Sequence, residues 1–464
     1  MTSSCSATAA GPCRWWTALR LAWCVVLPLP LVAAANSGAP GLEPEGPAST
    51  GAIPPSPTCA ASANRFLNSL GVNTHIDQGY DPRSYVAPLR YLGIRMVRDG
   101  ERHVDSEVAV AGATGVRFVI NGGGDLRGLI ASGEALAKAG ALLAIEGPNE
   151  PNNFPITYDG QQGGGPGHSW YAVAAFQAAL YKAVKADPLL EAYPVFGPSE
   201  TGAETDDVGL QYRRIPSGDQ GTIFPRGTRF SDFVNVHNYA STPRGGYGNN
   251  QAWNAANPTL NGAWDGLYGN SGVTWLRHFR GYPTEVLPVV PRVTTETGWD
   301  SVSDPGGQAL QGAILTNTYL AQFRSGWRYT FIYELRDGEG GSGHQGLYDG
   351  DTPKIAAFDV HNLTTILRDE QAVAQPVCLG FWLAGKSATM HDLLLEKSDG
   401  ELDLVIWNER ASGSDRVAVM FEQSQKHIRL FDITKGADPV KVFKQTNIVH
   451  LSLTDHAVVL AIGP

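Results

Sequence analysis

Two segments of the chain hold glutamates in settings suited to carboxylate chemistry: Glu146-Gly147-Pro148-Asn149-Glu150-Pro151-Asn152 and Thr294-Thr295-Glu296-Thr297-Gly298-Trp299. One carboxylic acid and one carboxylate, held roughly 5–5.5 Å apart, can cleave a glycosidic bond with retention: the acid protonates the leaving oxygen and the carboxylate attacks the anomeric carbon. That division of labour requires one group protonated and one ionised, so their surroundings must push the two pKa values apart. Arg98, at the end of another apolar run, is placed to keep the nucleophile ionised; the competing reading is a strand-end arginine paired with Asp99 or another surface acid. In Phe233-Val234-Asn235-Val236-His237-Asn238-Tyr239, extended backbone puts Asn235, His237 and Tyr239 on one face. A polar stripe inside an apolar layer is costly unless hydrogen-bonded, which points to His237 and Tyr239 holding substrate or a carboxylate, against the alternative of a satisfied core histidine.

The elements that must position these groups follow from the apolar pattern. Eight short apolar or β-branched runs alternate with helix-like stretches: 70–75, 94–98, 117–121, 142–146, 193–198, 233–239, 292–296 and 329–335. Trp170 to Ala186 and Gln308 to Phe323 have helical spacing. The expected fold class is therefore α/β, a (β/α)8 TIM barrel over residues 58–370, with working residues at the C-terminal ends of its strands. After Asp369 the texture becomes β-rich with turn signals, and residues 371–464 read as a C-terminal β-sandwich. His75 closes the first run, as a sugar contact or a structural histidine. Trp299 and Tyr333, closing the seventh and eighth, join the candidates for binding or support. Glu146 is a second acid, read as a substrate ligand or a barrel-rim residue. Between the sixth and seventh runs Tyr247, Trp253, Trp264, Tyr268 and Trp275 would stack on sugar faces or form a small core of their own.

Residues 1–35 carry Arg14, Arg20, the apolar run Leu21 to Val32 and Ala33-Ala34-Ala35, which reads as a secretory signal peptide. The run is too short, with Pro28 and Pro30 inside it, for a stable membrane anchor. Residues 36–57 contain six prolines and four glycines and read as a disordered linker. A net charge of −10 and the lack of a basic patch interleaved with aromatics exclude nucleic acid and disfavour polyanions as partners. Cys59 and Cys378 remain after the signal, a disulfide pair or two unrelated thiols. The Gly122 to Gly124 and Gly163 to Gly165 runs lack a phosphate-loop context. No His/Cys/Asp set has metal-ligand spacing, so no metal and no cofactor is expected.

Asn-Glu-Pro after the fourth run, Glu-Thr-Gly after the seventh, Arg98 after the second and His-x-Tyr after the sixth together resemble glycoside hydrolase clan A over the whole barrel. Gly346-Leu347-Tyr348-Asp349 with Thr352-Pro353-Lys354, and Leu393 to Gly400 leading to Val405-Ile406-Trp407-Asn408, resemble segments of secreted members of the clan. The resemblance implies that Asn149 binds a sugar 2-hydroxyl, Glu150 is acid/base, Glu296 is the nucleophile and Tyr239 hydrogen-bonds that nucleophile. Where many members have a Trp after strand eight, this chain has Tyr333-Glu334-Leu335. The expectation is a secreted or periplasmic, monomeric, retaining glycoside hydrolase that cleaves β-linked poly- or oligosaccharides without a cofactor. The competing expectation is a non-catalytic carbohydrate-binding protein on the same barrel.

Overall fold

Eight parallel strands, six of them followed by a helix among the described residues, form a nearly closed barrel. The structure, a computed structural model, describes residues 56–151, 153–165, 169–201, 224–225, 227–239, 291–303, 306–341, 343–387, 389–409 and 413–463. The expected signal, most of the linker and the aromatic segment between the sixth and seventh strands lie outside the described residues. The strands are β1 (Leu70–Asn73), β2 (Met96–Gly100), β3 (Arg117–Asn121), β4 (Leu142–Glu146), β5 (Val195–Phe196, resumed at Glu200–Thr201), β6 (Val234–His237), β7 (Arg292–Thr297) and β8 (Tyr329–Ile332). Each pairs in parallel with its sequence neighbour, and β8 pairs with β1 through Thr330 and Leu70 to close the circle. All five residues of β4 are buried because both faces of the barrel wall are covered, inside by packed side chains and outside by helices.

The helices are α1 (Arg83–Leu92), α2 (Val104–Thr114), α3 (Leu126–Lys138), α4 (Tyr171–Ala186), α5 (Gly307–Arg324) and α6 (Ile355–Ile366). Local chemistry sets their ends. Asp125 accepts from Gly128 N at 3.0 Å to cap α3, and the left-handed Gly93 and Gly115 stop α1 and α2. Inside the barrel, Met96, Val119, Leu143, Phe196, Val293, Tyr329 and Phe331 fill the lower half. Gly71 makes room for Phe331, whose ring lies 2.2 Å from where a β-carbon would stand. Above this plug the barrel interior turns polar.

The C-terminal region is one sheet bent over its own core, with strands β9 (Phe381–Ala384), β10 (Met390–Glu396), β11 (Leu402–Asn408), β12 (Asp415–Asp432), β13 (Lys441–Leu453) and β14 (Val458–Ile462). β12 makes the bend. Its register with β13 breaks between Met420 and Gln425; the part before the break pairs with β9 and the part after it with β14. Along β11 the residues alternate: Leu402, Leu404 and Ile406 face the sandwich core, while Val405 and Trp407 join the apolar layer that includes the barrel helices. α5 is accordingly buried continuously from Leu310 to Gln322, caught between barrel and sheet.

The chain enters the barrel through the C-terminal sheet. Thr58–Cys59 pairs with Cys378–Leu379, Ala61–Ser62 pairs with Leu395–Glu396, and Cys59 is disulfide-bonded to Cys378. Polar ties reinforce the apolar contact: Asn317 on α5 donates to Asp455 O and Asn362 on α6 to Ile433 O, both at 2.7 Å. Between these ties His456 Nε2 meets Asp432 at 3.1 Å and Nδ1 meets Asp455 at 3.0 Å. Burial opposes charge on His456, but its hydrogen bonds to Asp432 and Asp455 prevail and push it up to about 9 from 6.5. A histidine raised in this way stabilises the fold fully below pH 6.5, and that contribution is lost as pH rises through about 9. The melting temperature of His456→Gln is therefore expected below wild type at about pH 6 and level with it at about pH 10; a gap that stays constant with pH would refute the charged clamp. Among the described residues no helix is long and apolar enough to cross a membrane.

Candidate active site

The open cleft, about 490 Å³ in volume, lies at the C-terminal ends of the barrel strands. Its size falls in the range of small-ligand sites, and its walls include Asn73, His75, Arg98, Asn149, Glu150, Tyr239, Glu296 and Tyr333. Arg98 projects from β2 into the polar upper half of the barrel and is buried. All five of its N–H donors are used: Nε and NH2 grip both oxygens of Glu146 at 2.7 and 2.8 Å, NH1 reaches Asn73 at 3.0 Å and Glu296 at 2.7 Å, and NH2 reaches Asn149 at 2.7 Å. Burial opposes its charge, but Glu146 and Glu296 more than offset this and hold it firmly protonated. Asp99 turns away from Arg98 and instead accepts from Thr74 Oγ1, Ile76 N and Asp77 N, ordering the loop after β1.

Glu296 sits at the end of β7, where the register with β6 and β8 shifts around Thr295. The irregularity lets neighbouring side chains both serve the interior. Thr295 bonds Asn235 and Glu146, while Glu296 receives Arg98 on Oε1 and the Tyr239 hydroxyl on Oε2 at 2.7 Å. Burial, then the charges of Glu296 and Glu150, push the Tyr239 phenol far above its ordinary value, so it remains a donor. Glu150 stands in the loop after β4, with Asn149 bridged to Ser199 between the two parts of β5. Its φ of 39° lies in the left-handed region, a costly conformation for a glutamate and one that clusters at functional sites.

His237 links the two acids. Its Nδ1 lies 2.8 Å from Glu150 Oε1 and 3.4 Å from Glu296 Oε2, and the three atoms fall within 4.8 Å of one another. Its Nε2 lies 3.0 Å from Thr295 Oγ1. Asn235, His237 and Tyr239 thus share the inner side, while Val234 and Val236 pack outward, as the alternation predicts.

His75 and Tyr333 form the wall beside β1 and β8, their rings 5.4 Å apart edge to face. His75 Nδ1 points to Glu334 and Glu339 at 3.5 and 3.8 Å, and Tyr85 donates to Glu339 at 2.6 Å. The Tyr333–Glu334 peptide is cis, and Gly340 closes this corner with a φ of 58°. A β-carbon on Gly340 would meet the Tyr333 hydroxyl and His75 Nε2. Trp299 is not on the cleft: it is 2% exposed and packed in the apolar core, where its carbonyl accepts from Gln311. Glu146 is fully buried as the partner of Arg98, neither at the rim nor in reach of a ligand. Asn73, Thr295, Glu334 and Glu339 were not singled out as site residues in the sequence, since no motif marks an isolated polar residue beside a strand end.

Burial, then the nearby Glu339 and Asp337, push the Glu334 carboxyl up to about 10 from 4.5. An acid raised in this way favours the folded state below pH 4.5 and costs stability progressively as pH rises to about 10. Glu334→Gln is isosteric with the protonated acid. Its melting temperature is expected to match wild type near pH 5 and to exceed it increasingly toward pH 9. Parallel curves across that range would show that Glu334 is ionised throughout.

No protein-family model matches the chain, and no match is found among curated proteins. Solved structures do resemble it. A family 39 glycoside hydrolase from Bacteroides cellulosilyticus superposes with a TM-score of 0.53 at 16% identity, over 86% of this chain and 82% of that one. A glucosidase from Croceicoccus marinus gives 0.52 at 9% identity, over 88% and 99%. A family 30 endoxylanase from Clostridium papyrosolvens gives 0.51 at 11% identity, over 88% and 98%. At these identities the likeness establishes a shared fold, a TIM barrel with a C-terminal β-rich domain.

Proposed function

We propose that the chain is a retaining glycoside hydrolase acting on β-linked sugars, with Glu150 as acid/base and Glu296 as nucleophile. The observation that carries this reading is the pair of carboxylates whose nearest oxygens lie within 4.8 Å, joined by His237. This spacing is nearer the roughly 5–5.5 Å of a double displacement than the about 6.5–9.5 Å that an inverting enzyme keeps for its water, which supports the retaining reading. Glu150 protonates the leaving oxygen, Glu296 attacks the anomeric carbon to give a covalent glycosyl-enzyme, and Glu150 then takes the proton of the incoming water. Arg98 and Tyr239 hold both oxygens of Glu296 so that one lone pair faces the sugar. Asn149, anchored by Arg98, is offered to the sugar 2-hydroxyl. The disulfide supports an oxidising compartment, in keeping with the N-terminal leader pattern. Since the similar folds include an endoxylanase and a glucosidase, the substrate panel starts from β-xylans and aryl β-glycosides.

The experiment is proton NMR of the first product during cleavage. Release of the β-anomer supports double displacement; initial release of the α-anomer from a β-linked substrate would overturn it. Binding of a polysaccharide without turnover across the panel would instead identify a binding protein.

A further inference from the structure

The cluster that joins the two acids has a second capacity, independent of sugar chemistry. We propose that Glu150, His237 and Glu296 form a zinc site, and that a zinc ion seated there excludes substrate. Zinc favours four-coordinate sites with bonds of about 2.0–2.2 Å, so ligand atoms in a tetrahedron stand about 3.4 Å apart. His237 Nδ1 already lies 3.4 Å from Glu296 Oε2 and 2.8 Å from Glu150 Oε1, and all three atoms fall within 4.8 Å of one another. Changes in these separations of about 0.6 to about 1.4 Å complete three corners. The fourth faces the open cleft and takes water.

Two further features fit a metal. A zinc-bound histidine works best when its other ring nitrogen donates to a fixed acceptor. With Nδ1 on the metal, the proton of His237 sits on Nε2 and points at Thr295 Oγ1, 3.0 Å away; the Thr295 hydroxyl passes its own proton toward Glu146 Oε1 at 3.1 Å. The charges also balance. Among the described residues Glu146, Glu150 and Glu296 are balanced by one cation, Arg98, so a dication neutralises the ionised cluster. Magnesium and calcium, which need six or more oxygens, find too few here. The ligands come from the loop after β4 and from β6 and β7, so no local spacing in the sequence announces them.

The test is zinc titration of the metal-stripped full chain at neutral pH by calorimetry, alongside Glu150→Gln and His237→Phe. The expected result is one site in the wild type that weakens at least tenfold in both variants. Cobalt substituted for zinc should show the intense visible bands of four- or five-coordinate geometry, lost in the same variants. If His237→Phe does not fold, Glu150→Gln with the cobalt spectrum decides alone, because Glu150 lies in a cleft loop. Equal zinc affinity in wild type and variants, or no binding up to millimolar zinc, overturns the site. Inhibition of turnover competitive with substrate is expected to follow the same dissociation constant; zinc bound at these residues without inhibition overturns the exclusion. The binding step does not rest on the hydrolase reading, so a protein that binds zinc here but turns over no glycoside would refute that reading alone.

Discussion

Glu296→Gln is expected to lower turnover on the order of ten-thousand-fold or more, because no covalent intermediate can form without the carboxylate. Glu150→Gln should behave differently. An aryl glycoside with a good leaving group departs without protonation, so bond cleavage survives while hydrolysis of the glycosyl-enzyme slows about 10²–10⁴-fold. A burst of aryl product equal to the enzyme concentration, followed by slow steady release, is the signature to look for. Both variants should fold. At position 296 the amide keeps an oxygen for Arg98 and presents NH2 to Tyr239, whose hydroxyl can turn to accept. At position 150 the side chain is only partly buried. An added small anion such as azide offers a second check. It should restore Glu296→Gly by attacking from the vacant face, giving an inverted glycosyl azide, and should restore Glu150→Ala by displacing the glycosyl-enzyme, giving a retained one. Identical azide products from both variants would mean that the two roles are wrongly divided.

The strands nearest the cleft floor were the most legible part of the sequence. Residues 118–121 and Leu142–Glu146 are continuous apolar runs closed by a polar residue, as strands covered on both faces must be. The order of polar residues after successive strands then located Arg98, Glu150, His237, Tyr239 and Glu296 together, and the structure brings these side chains into one network. Trp299, a candidate for binding or support, takes no part in the cleft. Its ring lies in the core because the chain leaves the cleft after Thr297 toward α5, where Gln311 donates to the Trp299 carbonyl. Two features have no local signal at all. The register shift around Thr295 breaks strict alternation, and the Glu334–Glu339–His75 group forms only when β8 closes onto β1. In the C-terminal region β12 reads as two strands because polar residues fill its bend. β13 escaped notice because it pairs on one side only, with β12, and carries Lys441, Lys444, Gln445 and Asn447 among its apolar positions.

Replacing Arg98 should be the most damaging change to the fold near the cleft. Removing one partner of a buried ion pair leaves the other charge without compensation, at a cost of about 3–5 kcal/mol. Arg98→Met strands Glu146, which is fully buried, and removes the donor from Glu296 Oε1 and Asn149 Oδ1. A fall in unfolding free energy of that size, with turnover reduced at least a hundredfold, is expected. Arg98→Lys is no remedy: an ammonium offers three donors where five are engaged, and it cannot span both oxygens of Glu146 while reaching Glu296. The network makes a sharper demand. If the cost arises from the stranded Glu146 charge, adding Glu146→Gln to Arg98→Met should recover stability, although each single change is destabilising, and should recover no activity, since Asn149 and Glu296 still lack their donor. A double-mutant cycle on denaturant unfolding measures this coupling. Additive losses would show that Arg98 acts by packing, and its role in orienting Glu296 would then have to be assigned to Tyr239.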